Sequence, residues 1–399
     1  MQRVRSLFGA RDRSADIGSE SGATSGGVVA NASICATAEN PPACAAVDAK
    51  DDPSTGGVES IGESEPLSQE EIYRRKIAAE KAIFDDQIDV HALPRIFDYW
   101  SNKYLRPQLE AFGFSHPEAF FAHFLAVAYA ESQNRPARFI SIGAGNSDAE
   151  VRIARMLIDR GISDFTLECL ELNETMIERG KALARENGVD SQVLPIAGDF
   201  NFWKADGSYD AVIANQSLHH VSNLEGLFAA IKDALSPQGR LITSDMIGRN
   251  GHMRWPEAAA IVREFWRELP ESYRYNLQLR RQEDDFIDWD CSQEGFEGVR
   301  AQDILPLLIE NFDFEFFLGF ANVIDPFIDR SFGHHFNADS EGDRALIDRI
   351  HARDEAEILA GHIKPTHMFA VLRKNYAGAL AHWEHLTPKF CVRPPNGTA

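Results

Sequence analysis

The sequence predicts an α/β fold, a mostly parallel sheet covered by helices on both faces. Three observations predict it. Between residues 138 and 245, short apolar runs alternate with amphipathic stretches. The first apolar run ends in a glycine turn, and the second ends in a carboxylate. Such a βαβα rhythm buries a parallel sheet between helical layers and lines up the strand ends along one edge.

The elements follow in order. Residues 138–142 (RFISI) read as a buried strand. Residues 148–160 read as a helix, with Val151, Ile153, Ala154, Leu157 and Ile158 on or near one face. Strands are expected at 165–172, 192–196, 209–214 and 240–244. Helices are expected at 174–187, closed by Gly188, and at 224–235. After an irregular insertion at about 246–300, a helix at 302–311 and a strand at 313–324 resume the pattern. A second insertion at about 325–363 precedes a last strand at 366–373.

The flanks read differently. Residues 1–66 are rich in Gly, Ser, Ala and acidic side chains, too poor in large apolar groups to offset ordering entropy, and are expected to be a disordered arm. Ser68-Gln-Glu-Glu71 opens residues 67–135, a helical cap subdomain, with a capping-box signature. Its helical stretches at 94–112 and 117–131 carry Phe97, Tyr99, Trp100, Tyr104, Phe112, Phe120, Phe121 and Phe124. These rings either pack on the core or roof the site, and the two readings are compatible. Residues 376–399 read as a frayed tail.

Composition narrows the function. With 61 acidic against 40 basic residues the net charge is −21, which argues against phosphate backbones and anionic lipid as partners. No apolar run reaches the roughly 20 residues of a membrane span. Nor is there an apolar segment behind the N-terminal arginines to make a secretory signal. The expectation is a soluble cytoplasmic protein. The five cysteines (35, 44, 169, 291 and 391) are scattered and form no CxxC pair, against a disulfide framework or a structural zinc site.

The chemistry collects at the strand ends. Gly143-Ala144-Gly145-Asn146 follows the first strand, where glycines let the chain turn tightly and a ligand come close. Glu171, with Leu172 beside it, ends the second strand 26 residues after Gly145. That is close to the roughly 20-residue offset at which a carboxylate meets ribose hydroxyls. Asp199 and Phe200 follow the third strand and suit an adenine, one by hydrogen bonding and one by its ring. Asn215-Gln216-Ser-Leu-His219-His220 follows the fourth. The rival reading is an NAD-dependent oxidoreductase. There a third glycine would stand at position 148, where this chain has Asp148, and a carboxylate at that helix start repels a pyrophosphate.

Taken together, ISIGAGN, ECLELN, AGDF, YDAVIANQSLHHV and LSPQGRLITSD resemble the ordered motifs of class I S-adenosylmethionine-dependent methyltransferases. The resemblance implies a Rossmann-like seven-stranded sheet with its last strand antiparallel, on a domain spanning 136–375. It implies S-adenosylmethionine as cofactor, with Gly143, Ala144 and Gly145 beside its methionine part and Asn146 and Leu172 also among the cofactor-binding residues. It places Glu171 at the ribose, Asp199 and Phe200 near the adenine, and Asn215 and Gln216 at the transfer edge. Two departures stand out: GAGN in place of GxGxG, and Glu where Asp is commoner at the ribose.

For catalysis, His219 and His220 are the candidate bases, since histidine titrates near neutrality. Asp245, Arg249, His252 and Trp255, just past the fifth strand, are the candidate substrate residues. His334-His335, His362 and His367 match no closed metal signature, so no metal is expected. The Asn-Pro-Pro-aromatic pattern of base-methylating enzymes is absent, which with the acidic charge disfavours nucleic acid. The acceptor is then a small molecule, a lipid intermediate or a glycan. A non-catalytic interaction module is the remaining alternative. Residues 291–298 and 322–329 read as lid or substrate-pocket elements, or as contacts within an oligomer.

Overall fold

The computed structural model describes residues 68–86, 93–293 and 295–395. The N-terminal arm expected at 1–66 lies outside the described residues, as do Cys35 and Cys44. One mixed sheet forms the centre, from β1 (Ala137–Ile142), β2 (Phe165–Glu171), β3 (Val193–Ala197), β4 (Tyr209–Asn215), β5 (Leu235–Met246), β6 (Asp313–Phe320), β7 (His367–Arg373) and β8 (Ala381–His382). Their order across the sheet is β8-β6-β7-β5-β4-β1-β2-β3. Only β7 is antiparallel to its neighbours β5 and β6. The sheet has eight strands against the expected seven. The extra one is a two-residue strand that the C-terminal segment adds to the edge, parallel to β6.

The helices are α1 (Gln69–Asp86), α2 (Pro117–Glu131), α3 (Asp148–Asp159), α4 (Glu174–Glu186), α5 (Leu224–Ala234), α6 (Pro256–Trp266), α7 (Ala301–Asn311) and α8 (Glu341–Ala360). Strand order reverses at β1 and β4. Crossovers through α3 and α4 run one way along the sheet and that through α5 runs the other, so right-handedness puts them on opposite faces. The edge between β1 and β4 is therefore the switch point where ligands bind in open α/β sheets. Side-chain caps set several helix starts. Asn173 accepts from the amides of Thr175 and Met176 ahead of α4, and Ser68 and Glu71 form the expected reciprocal box ahead of α1.

The cap aromatics divide between the two readings. Phe114, Phe120 and Phe124 pack on β6, with the Phe120 ring 5.4 Å from Phe316 and 5.3 Å from Phe369. Each such ring removes a large apolar area from water, about 1.5–3 kcal/mol per fully buried side chain. Phe97 and Trp100, by contrast, reach the cavity described below. The expected single helix over 94–112 is broken into Arg95–Trp100, a π-helical turn Ser101–Leu105 and Arg106–Glu110. The segment past Tyr376 is no frayed tail up to residue 395: Leu386 and Cys391 are buried. Cys169 and Cys391 are free thiols, whereas Cys291 is disulfide-bonded, which the cysteine spacing had not indicated.

A buried carboxylate on α8 ties the second insertion to the sheet. Asp354 accepts the backbone amides of Asn322, Val323 and Ile324 just past β6. Burial outweighs those hydrogen bonds and pushes its pKa up to about 7. Its unfolded pKa is near 3.9. The folded state thus holds this proton more tightly, and the stability it contributes is present below about pH 4 and is lost as pH rises through 7. Asp354→Asn is expected to flatten the pH dependence of melting between pH 4 and 7. Melting curves that keep the same slope in the variant would contradict this assignment.

Candidate active site

The first turn and the second strand end face each other. Gly143 sits at φ 67°, and a Cβ there would stand 2.7 Å from the Ser217 Cβ, so only glycine lets these two loops meet. Gly145 donates its amide to the Glu171 carboxylate at 2.9 Å. The other carboxylate oxygen accepts the amides of Leu172 and Asn173. Burial raises the Glu171 pKa against the pull of these three amides. Around the same turn, the Asn146 Oδ1, Gln216 Oε1 and Ser217 Oγ atoms are buried without a protein partner. Buried polar atoms of this kind want a ligand or water. Asp148 and the buried Glu150 stand in the first turn of α3, which makes this helix start a poor seat for phosphate. Asp199 accepts from the Asn201 amide and from the Tyr73 hydroxyl at 2.7 Å, so α1 is fastened to the loop that follows β3.

The loop after β4 leads from that turn to a second cluster. Gln216 is held at φ 55°, a conformation most side chains avoid, with its amide on Ser244. The amides of Ser217 and Leu218 and the His219 ring all bind one carboxylate, that of Asp245. Asp245 is fully buried and also accepts its neighbour's amide, Met246. Across from it, Glu297 lies 3.6 Å from His219 Nε2, 3.5 Å from His220 Nε2 and 2.8 Å from His252 Nε2. Burial alone would lower the His219 pKa; the two carboxylates outweigh it and raise it to about 10. The same histidines hold Glu297 well below the usual carboxylate range despite its burial.

Glu297 reaches this place because two loops clamp together. Gly251 donates to the Gly298 carbonyl at 2.9 Å, and Val299 donates to the His219 carbonyl at 3.1 Å. Gly298 has φ 65°, and a Cβ on it would stand 3.0 Å from the Gly251 backbone and from the His252 ring. Glycine is required there by both conformation and space.

Past His252 opens a cavity of about 970 Å³, part of it open to solvent. Its walls come from the cap helix (Phe97, Trp100), from both insertions (Phe286, Trp289, Phe332) and from the strand ends (Met246, Phe320). The polar groups on it are largely tied to one another. Arg254 binds Asp325 through its guanidinium and Asp288 through its amide, and Asp325 also takes Thr366 and His367. Aromatic walls with a few fixed polar groups are the usual make-up of a small-molecule site.

Residues 141–243 match a family model described as a methyltransferase domain. A methyltransferase domain thus occupies the segment from β1 to β5. It is 26% identical over 197 residues to the 27-O-demethylrifamycin SV methyltransferase of Amycolatopsis mediterranei (strain S699), covering 46% of this chain and 70% of that one. Among solved structures it is similar to the O-methyltransferase of a trans-AT PKS multienzyme of Brevibacillus brevis, in complex with S-adenosyl-L-homocysteine. That pair shares 14% identity and a TM-score of 0.38, covering 74% of this chain and 81% of that one. It is also similar to the geranyl diphosphate C-methyltransferase of Streptomyces coelicolor A3(2), at 12% identity and a TM-score of 0.35, covering 64% and 78%. At that similarity neither solved structure sets a substrate for this methyltransferase.

Within the methyltransferase domain, the structure brings Gly143, Ala144, Gly145, Asn146, Glu171 and Leu172 to one place, with the Phe200 ring 3.8 Å from where a Gly143 Cβ would be. Asn215 ends β4 beside Ser244, and Gln216 hydrogen-bonds to that serine. The four candidate substrate residues separate. His252 lines the cavity; Asp245 lies beneath the β4 loop with its oxygens on protein donors. The Arg249 guanidinium lies 5.6 Å over the Trp255 ring, with Arg393 on the same ring at 4.6 Å, and neither Arg249 nor Trp255 lines the cavity. His219 and His220 do not line it either. Sequence reasoning missed Glu297 and Tyr73. The signal for Glu297 was its place in the 291–298 loop, already singled out as a lid or pocket element; nothing marked Tyr73. Among the described residues no helix is long and apolar enough to cross a membrane.

Proposed function

We propose that this enzyme moves a methyl group from S-adenosylmethionine to a nucleophilic atom, most simply a hydroxyl oxygen, of a small molecule held in the aromatic cavity. One observation carries the reading. The loop Asn215–His220 packs Ser217 on the Gly143 turn at one end and joins the His219, His252 and Glu297 cluster at the other, and His252 forms part of the cavity wall. The loop thus joins the cofactor edge to the His219–Glu297–His252 cluster, and His252 carries that cluster to the acceptor cavity.

The residues present fit the cofactor. Glu171 offers lone pairs to ribose hydroxyls, Asp199 and Phe200 flank the adenine, and Gly143 and Gly145 leave room for the methionine part. The unpartnered Asn146, Gln216 and Ser217 atoms supply polar contacts around it. When bound, the cofactor supplies a methyl group on a positively charged sulfur, which a nucleophile must approach in line. The chain's task is then to hold the acceptor and shed water, and the rings of Phe97, Trp100, Phe286 and Phe332 do both. Where the acceptor loses a proton, His252 is the ring placed on that wall, its Nε2–H given to Glu297 and its Nδ1 without a protein partner. The relative of 26% identity is named for a 27-O-demethyl acceptor, which favours a hydroxyl oxygen as the site of methylation.

The test is incubation of the full chain with methyl-labelled S-adenosylmethionine and fractionated small-molecule extract. The expected result is label in an apolar, hydroxyl-bearing compound, lost when Trp100→Ala opens the cavity wall. Label appearing only in protein or nucleic acid would contradict the small-molecule reading. S-Adenosylhomocysteine binding without any labelled product would favour a non-catalytic module.

A further inference from the structure

We propose that His219, His220 and Glu297 form a binding site for one divalent transition-metal ion of the Zn²⁺ kind. The candidate ligand atoms of these three residues all lie within 4.8 Å of one another. Glu297 presents one oxygen 3.6 Å from His219 Nε2 and the other 3.5 Å from His220 Nε2. Ligands sharing an ion at roughly 2.0–2.2 Å stand about 3–3.6 Å from each other, so the cluster is within a small closure of ligating distance.

The surroundings are those a ligand set requires. His219 has its second nitrogen, Nδ1, 2.7 Å from Asp245, which fixes the ring with Nε2 turned to Glu297. Asp245 is itself held by the amides of Ser217, Leu218 and Met246. Glu297 in turn accepts from His252 at 2.8 Å. A carboxylate behind a ligating histidine, and a hydrogen bond on a ligating carboxylate, orient the ligands and raise their basicity. Burial adds a reason. Asp245 and Glu297 place two carboxylates in the interior, and among the described residues the rings of His219, His220 and His252 are what faces Glu297. A dication bound there would take over, once the histidines give up their protons to ligate it, the charge balance that the protonated His219 ring otherwise supplies.

Two imidazoles and one carboxylate leave coordination positions open, the mark of a reactive rather than a structural site. His252 carries the cluster to the cavity wall. An acceptor hydroxyl entering an open position would give up its proton more readily, to His252 Nδ1, and its oxygen would be fixed in place to take the methyl as the carbon–sulfur bond breaks. That consequence rests on the methyl-transfer reading; the binding of the ion does not. The histidine spacing alone gave no metal signature because the carboxylate arrives from a distant insertion.

The test uses the full chain, stripped with a chelator and titrated with Co²⁺ as a spectroscopic probe and with Zn²⁺ in competition. One ion per chain is expected, with visible ligand-field absorption from Co²⁺ that Zn²⁺ abolishes. His220→Ala, a partly exposed side chain, and Glu297→Gln should each lower Co²⁺ affinity about 100-fold, as judged on chains that melt cooperatively. His362→Ala, on an exposed ring bonded to Glu357, should leave uptake unchanged. No stoichiometric uptake, or folded His220→Ala binding as tightly as the unchanged chain, would overturn the proposal. Titrating the same stripped chain with S-adenosylhomocysteine reports on the methyltransferase reading separately.

Discussion

Glu171→Ala is expected to weaken S-adenosylhomocysteine binding by 100-fold or more. In the proposed cofactor geometry the carboxylate accepts from the ribose hydroxyls, and hydrogen bonds to a charged acceptor are worth about 1.5–3 kcal/mol each. Losing one or two of them already reaches a hundredfold, since each 1.4 kcal/mol is a factor of ten. The substitution has a second effect. Glu171 also holds the amides of Gly145, Leu172 and Asn173, so the glycine turn loses its anchor along with the ribose contact. Glu171→Gln keeps the shape and one acceptor oxygen, and should fall between the two. Calorimetric titration checks the series. An unchanged dissociation constant in Glu171→Ala would remove the cofactor geometry on which the functional reading depends.

The second large effect is on stability. Asp245→Ala should destabilise the fold by about 3–5 kcal/mol, the range for removing one partner of a buried charge pair. Asp245 is fully buried and accepts from Ser217, Leu218, Met246 and the His219 ring. Without it three amides lose their acceptor and an imidazolium is left in the interior facing Glu297 alone. Asp245→Asn keeps an oxygen but no charge, and should lose less. Urea unfolding followed by far-UV circular dichroism measures the difference. A loss below about 1 kcal/mol would mean the β4 loop is not held from beneath in the way described.

These two residues also show what a sequence can reveal. The place of Glu171 at the end of β2, opposite the glycine turn, is legible because its strand is short and apolar and its distance from that turn is set by one βαβ unit. Asp245 was read correctly as a strand end but not as a residue turned under the neighbouring loop, because strand-end position says nothing of which donors surround a carboxylate. The sheet itself was legible from β1 to β5, where the apolar runs are continuous, most deeply buried in β1 and β4. Its eighth strand was not, since Ala381–His382 is too short to carry any period. The break in the 94–112 helix was also hidden: its apolar spacing reads as helical throughout, and the π turn at Ser101–Leu105 changes the spacing by less than the pattern resolves. Most of the acceptor side was out of reach for a different reason. The cavity is assembled from the cap helix, two insertions and three strand ends, and Glu297 meets its histidines only through the Gly251–Gly298 clamp. Such meetings depend on loop conformation, which residue order does not encode in any short window.

The most direct test of the central claim is a pair of titrations on the unchanged chain, one with S-adenosylhomocysteine and one with NADH. A cleft closed by Glu171, with Asp148 in the first turn of the helix that follows the glycine loop, should bind the phosphate-free ligand at about one per chain with a dissociation constant near the micromolar level, about −8 kcal/mol. It should show no saturable binding of the dinucleotide. Tight NADH binding with none of S-adenosylhomocysteine would contradict the account.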